Sequence, residues 1–527
     1  MLGVPLLVTP LPQAFAQSIT VAVGADIETL EPHHATTFSD HVIARTLHRG
    51  LTQYQPNGTL GPGLAESWTI ASDGRTYTFS LKSGLTWSDG RPLTASDFVA
   101  GIEHALDPIR PSPFAAKLFA IAMAGDFYYG SLKEGRALGV SAPDPATVVI
   151  KLSRRAVDFL ETLAHPVAMP VPTQERTALH DGTVTSGTYR VARGNEAGEM
   201  VLESISTGPG LVVRTVGSVA DAWNLVGDDG ALVTAALPAV TSPTLGDHSD
   251  WIQVDRTHTL YAYGVNTARN PFNTIEVRHA LAMAINRPKV LESLPQNIGV
   301  PANQYVPPSV MGELGSYKVP FAPLTFEERE AVASALLAEL GFDRDNPLRV
   351  NLRVPKGDIH RTAAESIAAM WAHAGIFTVI IEAPLFDHWR ALEQGDFDVA
   401  FMAWPGRNEI PQSILEPLSL AGGPWNFPRY AFSEFTERLN RALSYDKEMV
   451  RLGCYREAEK AIIEDQALIA VFFYRPLSLV SPDIQGWIAN SSGQHPLSAL
   501  TTVSDDGGIK LIRPTLPQAV PSFGADP

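Results

Sequence analysis

At 527 residues, with 45% of them hydrophobic and 18% charged, the chain has the composition of a water-soluble protein built from two or three packed units. A net charge of −16 disfavours nucleic acid and anionic lipid as partners, and no run approaches the roughly 20 apolar residues that span a bilayer. The single cysteine, Cys454, excludes an internal disulfide and a cysteine-based zinc site, and reads as a small buried apolar residue.

The chain opens on an apolar run, residues 2–8, followed by Ala14-Phe15-Ala16 ahead of Gln17, the small-x-small pattern of a cleaved export signal. Residues 1–16 are therefore read as the remnant of a signal peptide, and with no cysteine following them a free protein of a Gram-negative periplasm is expected. Ser18–Val23 alternates as a strand, and residues 40–51 are expected to be helical. His41 and His48 fall two turns apart on that helix, with His33 and His34 just before it. Two turns is about 10 Å of rise, too far to share an ion unless a loop folds back, so no metal site is expected and these histidines read as surface and cleft-edge groups.

Residues 76–81 alternate as a strand, and Thr94 with Asp97 three residues on caps a helix. Trp68 and Trp87 read as core. Gly227-Asp-Asp-Gly230 lacks the spaced oxygen ligands of a calcium loop and reads as a solvated turn. Further on come a strand at residues 261–265, a turn at 270–273, and Ile275, Val277, Ala280, Leu281, Ala284 and Ile285 at helical spacing. Thr325 with Glu328 caps the next helix, residues 348–354 form a strand, a helix around Met370 and Trp371 closes at Gly375, and residues 376–382 complete a β-α-β unit. His360 and His373 lack ligand spacing, and residues 467–479 supply the last core strand. There is no G-x-S-x-G, Walker loop, H-E-x-x-H or G-x-G-x-x-G, so neither catalysis nor a cofactor is expected.

Two stretches carry a family resemblance. Residues 266–287 read N-x-x-x-x-P-F-N-x-x-x-V-R-x-A-L-x-x-A-I-N-R, and Leu60-Gly-Pro-Gly-Leu-Ala-Glu-Ser-Trp68 is followed by Trp87-Ser-Asp-Gly90. Both resemble the large periplasmic solute-binding proteins that feed peptide, opine and nickel importers of the ATP-binding-cassette class. The resemblance implies an α/β, two-lobed periplasmic-binding-protein (Venus-flytrap) fold with an extra inserted α+β domain. Lobe I would take residues 17–50, 174–263 and 480–527, the inserted domain 51–173, and lobe II 264–479, with crossings near Glu175 and Gly264 and a strand after Ile509 returning to lobe I. It also implies a monomer that holds one small solute between closing lobes and delivers it to a membrane permease.

The same resemblance places ligand contacts. Glu28-Thr-Leu-Glu-Pro-His33 resembles the family's approach to the cleft, with Thr36, Thr37 and Phe38 against the ligand and residues 114–119 nearby. Trp389, Asn426 and Tyr430 fall where relatives line the cleft, and Trp425 is a weaker candidate. In Phe397-Asp-Val-Ala-Phe-Met-Ala-Trp404, Phe401 stands at a position that some relatives use for peptide carboxylates. Three residues after Trp404, where peptide-binding relatives place an Asp against the peptide ammonium, this chain has Arg407. That exchange turns an attraction of up to about 4 kcal/mol, at 4 Å and effective dielectric 20, into a comparable repulsion. The expected ligand is therefore peptide-like with a blocked N-terminus, opine-like, or a sugar phosphate. The alternatives are ordinary oligopeptides with the N-terminus held by Glu409, a nickel-type ligand, or a sensory role.

Overall fold

The computed structural model describes residues 18–24, 26–132, 138–156, 158–173, 182–196, 198–206, 208–217, 219–225, 232–235, 249–255, 259–294, 298–404, 411–419, 426–431, 433–445, 447–475 and 477–502. The signal remnant, the turn at residues 227–230, Glu175, Arg407, Glu409, Trp425 and the tail from Ile509 lie outside the described residues.

Strand β1 (Ser18–Val23) starts a sheet that the chain leaves at once and rejoins more than 160 residues later, at Tyr189. In between lies a four-stranded antiparallel sheet of β2 (Ala65–Ile70), β3 (Thr76–Leu81), β4 (Val140–Asp144) and β5 (Thr147–Lys151), ordered β2-β3-β5-β4. The first sheet is then completed by β6 (Tyr189–Glu196), β7 (Glu199–Ser204), β8 (Gly210–Thr215) and β9 (Leu232–Ala235), ordered β9-β1-β8-β7-β6, with β1 parallel to both its neighbours. After β10 (Ile252–Val254) comes a six-stranded mixed sheet of β11 (Leu260–Val265), β12 (Gly299–Pro301), β13 (Leu348–Pro355), β14 (Ile376–Ala383), β15 (Val399–Trp404) and β16 (Leu468–Tyr474). Its order is β12-β16-β11-β15-β13-β14, so β11 belongs wholly to it, ahead of the Gly264 boundary expected from the sequence. On leaving this sheet, β17 (Leu477–Leu479) pairs antiparallel with β10, Ile252 opposite Leu479, and Ser481 N donates to Leu232 O at 2.8 Å, back at the first sheet.

The side-chain patterns explain the placements. Tyr77, Phe79 and Leu81 on β3, and Leu348, Val350, Leu352 and Val354 on β13, are buried at alternate positions, as on a strand with one covered face. Strand β16, LIAVFFY, is buried at every position but its last, the pattern of an interior strand covered on both faces. Each sheet has its own hydrophobic core: one around Ile19, Val21 and Leu211, one around Phe79, Phe98 and Val148, and the largest around Tyr263, Trp371 and Phe472. Trp87 is buried and Trp68 packs at the edge of the second core, as the sequence predicts. Among the described residues no helix is long and apolar enough to cross a membrane.

Helix starts follow local chemistry. Capping boxes form at Thr94 with Asp97, opening α2 (Ala95–Ala105), and at Thr325 with Glu328. The helix expected over residues 40–51 is α1 (Phe38–Leu47); it begins two residues early because Thr37 caps it through Asp40. Arg278, in helix α3 (Ile275–Met283), is 4% exposed and donates to the carbonyls of Phe272, Asn273 and Asp465 at 2.8–3.0 Å, so the motif arginine ties its own turn to the end of a distant helix.

The expectation of surface histidines is corrected: His33 and His48 are 0% and 1% exposed, because the loop before α1 folds under residues 165–169 and His33 Nε2 meets Met169 O at 2.9 Å. Burial lowers both to about 3, and lowers His360 and His388 to about 4. The folded chain refuses protons at these four sites that the unfolded chain takes up below about pH 6.5, so their contribution to stability is lost as pH falls towards 4. Burial raises Glu161 and Glu459 to about 7, and their contribution is lost as pH rises through 7. Between about pH 5 and 6.5 the four imidazoles outnumber the two carboxyls by about two protons, so stability rises with pH over that window and is highest near pH 6.5. Thermal unfolding midpoints across this range test the prediction, and a flat or falling profile contradicts it.

Candidate functional site

The loop at residues 28–37 is built around one carboxylate. Asp40, 0% exposed, accepts from Glu28 N at 2.9 Å, Thr37 N at 3.0 Å and Thr36 N at 3.2 Å, while its own N–H donates to Thr37 Oγ1 at 2.9 Å. Satisfying these donors from within leaves Thr36 exposed, Thr37 half-buried and Phe38 59% exposed at the first turn of α1. Residues 112–114 pack beside this loop: Ser112 Oγ donates to His33 O at 2.6 Å, and Phe114, His41 and His165 form a trio of rings 5.0–5.3 Å apart.

On the six-stranded sheet, β15 pairs with β11 along its whole length but with β13 only at Val399 and Ala400. Because Asn266 N donates to Asp398 O on the β11 side, strand alternation turns the peptide groups of Phe401 and Ala403 towards the other, open edge. His388 Nε2 lies 3.0 Å from Phe401 O, and the Ala403 peptide group has no strand partner among the described residues. Helix α4 (Leu385–Gln394) carries His388 beside half-buried Trp389, 5.5 Å apart, and Trp389 lies 5.7 Å from Phe427. At the start of α4, Leu385 is 56% and Phe386 75% exposed.

The structure thus brings Trp389 near the β15 edge that carries Phe401 and Trp404, while placing the other residues expected at the site differently. Phe401 is 5% exposed, its ring 4.6 Å from Tyr261 and 4.3 Å from His360, inside the aromatic core. Tyr430 is also buried, and the Asn426 amide brackets it, accepting from Tyr430 N at 3.0 Å and donating to Tyr430 O at 2.6 Å. His360, given no role by the sequence, supports this core: its Nδ1 lies 3.1 Å from Tyr261 Oη. Asp40, His388 and Phe386 went unrecognised. Only the exposed apolar pair opening α4 left a signal, since an apolar start to a polar helix face is visible in Leu385-Phe-Asp-His-Trp389.

Residues 59–426 match the family described as Bacterial extracellular solute-binding proteins, family 5 Middle. The chain belongs to that family. It is 28% identical over 492 residues to the periplasmic oligopeptide-binding protein OppA of Escherichia coli strain K12, covering 90% of this chain and 89% of that protein. It is also 28% identical over 502 residues to the probable deoxycholate-binding periplasmic protein YgiS of the same strain, covering 88% and 89%. The crystal structure of Haemophilus influenzae OppA in complex with RPPGFSPFR superposes with a TM-score of 0.81 at 24% identity, over 93% of this chain and 99% of that one. The fold is the two-lobed α/β architecture of periplasmic binding proteins.

Replacing Asp40 by Ala strands the backbone donors of the loop and removes the α1 cap. We expect a loss of at least about 2 kcal/mol in urea unfolding, with Asp40→Asn, which keeps one acceptor oxygen, losing less. Equal losses in the two variants would show that the carboxylate's several acceptor positions do not matter.

Proposed function

We propose that this family member is the periplasmic substrate-binding component of an ABC importer, a non-catalytic monomer that captures one extended, peptide-like solute between its lobes and passes it to the membrane permease. The observation that carries the reading is the open edge of β15 at Ala403, past the last pairing with β13 and the His388 contact to Phe401 O, where an extended ligand can add through main-chain hydrogen bonds. Phe386, exposed on the helix whose His388 contacts β15, and Phe38, exposed on the first lobe, would supply apolar faces for its side chains. The relatives support the class: OppA of two organisms is named for oligopeptides or was solved with a peptide. YgiS, named for deoxycholate, keeps an apolar, carboxylate-bearing solute in view.

The lobes proposed are those expected from the sequence, with residues 51–173 as the inserted domain, except that β11 moves the start of lobe II to Leu260. The separate hydrophobic core of each sheet supports this division. Closure would be a hinge motion about the β10–β17 crossing.

Within this reading Arg407 is the residue that would pair with the anionic or blocked end of the solute. Its planar fork suits a carboxylate or phosphate at about 1.5–3 kcal/mol per charged hydrogen bond. Two measurements test the proposal. Native mass spectrometry of protein purified without refolding should reveal one co-purifying solute per chain, and small-angle scattering should contract when that solute is restored. Calorimetry should then show Arg407→Asp binding it one to two orders of magnitude more weakly, the loss of one such bond. If wild type binds free-N-terminus tripeptides tightly and the substitution leaves that affinity unchanged, the anionic end is wrong and Glu409 or backbone contacts hold the peptide instead.

A further inference from the structure

A second group of side chains lies behind the Thr36–Phe38 turn, where the first lobe meets the inserted α+β sheet. Glu31, His34 and His104 are 73 residues apart at their extremes, yet their donor atoms all lie within 4.8 Å of one another. Glu31 Oε1 faces both rings, 2.6 Å from His104 Nε2 and 3.0 Å from His34 Nδ1. Its other oxygen lies 3.4 Å from the Arg110 guanidinium. The carboxylate side chain is 3% exposed and each imidazole 15%, so the group is shielded but not sealed. Glu31 also borders a surface cavity of about 300 Å³ with Glu28, Thr29 and Arg110, which gives an ion a route in and room for a water beside it.

We propose that Glu31, His34 and His104 bind one zinc ion, or a similar first-row divalent metal, as a structural staple between the first lobe and the inserted domain. Two imidazoles and a carboxylate, with a water as fourth ligand, are a donor set that zinc favours. Ligand bonds of about 2.1 Å require donors about 3.4 Å apart in a tetrahedron, so the two rings need to withdraw from Oε1 by less than about 1 Å. Arg110 orients the second carboxylate oxygen, the outer-shell role that fixes a ligand's direction. His33 stays out of the set: it is fully buried and its Nε2 is engaged with Met169 O. The ion would tie the loop before α1 to the helix α2 that carries His104, two segments whose sheets are otherwise separate.

Binding must displace hydrogens from the imidazole nitrogens, so it weakens as pH falls. The test needs the metal alone and no solute. Full-length protein stripped with EDTA is titrated with zinc chloride against a coloured competing chelator, and thermal unfolding is followed with and without one equivalent of zinc. We expect one zinc per chain and a raised midpoint in the wild type. His34→Gln and His104→Gln should each weaken binding at least tenfold and lose the thermal shift, with His373→Gln, exposed on a distant helix, behaving as wild type. The variants' midpoints without zinc report whether they remain folded; His34→Gln removes the longer of the two contacts to Glu31, 3.0 Å against 2.6 Å. Zinc that fails to compete with the chelator overturns the proposal, and so does binding that survives both substitutions.

Discussion

The chain has to pass between its two large sheets and come back, and the described crossing is an antiparallel ribbon of three residues on each strand, β10 against β17. Everything else follows from how little structure spans that gap. Each sheet must complete its own core, because a ribbon of that size buries almost nothing. Thr234 Oγ1 accepting from Leu479 N and Leu232 O accepting from Ser481 N, both at 2.8 Å, fasten the ribbon to the first sheet, while Tyr474 N donating to Thr259 O at 2.8 Å closes the other sheet where the chain enters the crossing. A crossing this small is where the proposed hinge motion would be concentrated.

Much of the fold was legible because its signals are local. The capping boxes at Thr94 and Thr325 need only residues three apart, and the alternation on β3 and β13 needs only a strand's own side chains. The motif at residues 266–287 pointed to the family, and the structure shows why its arginine is in it: Arg278 is fixed by carbonyls on both its own turn and Asp465. The site was legible only in outline. Asp40 looked like an ordinary first-turn acid, since nothing in sequence announces that the backbone of residues 28–37 would fold onto its carboxylate. His34 was weighed against His41 and His48, its neighbours along the chain, while its partner in space is His104 on another segment. The open edge of β15 depends on where β13 stops pairing, a matter of register between strands about 50 residues apart. Phe401 was expected at the ligand, but its burial among Tyr261 and His360 depends on the packing of three separate segments.

Arg154, just past β5 in the inserted region, reaches Glu416 beyond β15 at 2.8 Å, and Gln412 Nε2 supports the same carboxylate at 3.4 Å. This pair joins a surface of the inserted domain to a surface of the other lobe, so it exists only in arrangements that bring those surfaces together. With the Arg154 side chain 46% exposed, it is worth at most about 1 kcal/mol. That is small for folding but amounts to about fivefold in the ratio of two lobe arrangements. Apparent affinity for a solute includes that ratio whenever binding favours one arrangement. Dissolved salt, by screening a contact that never touches the solute, therefore becomes a dial on how tightly the solute is held.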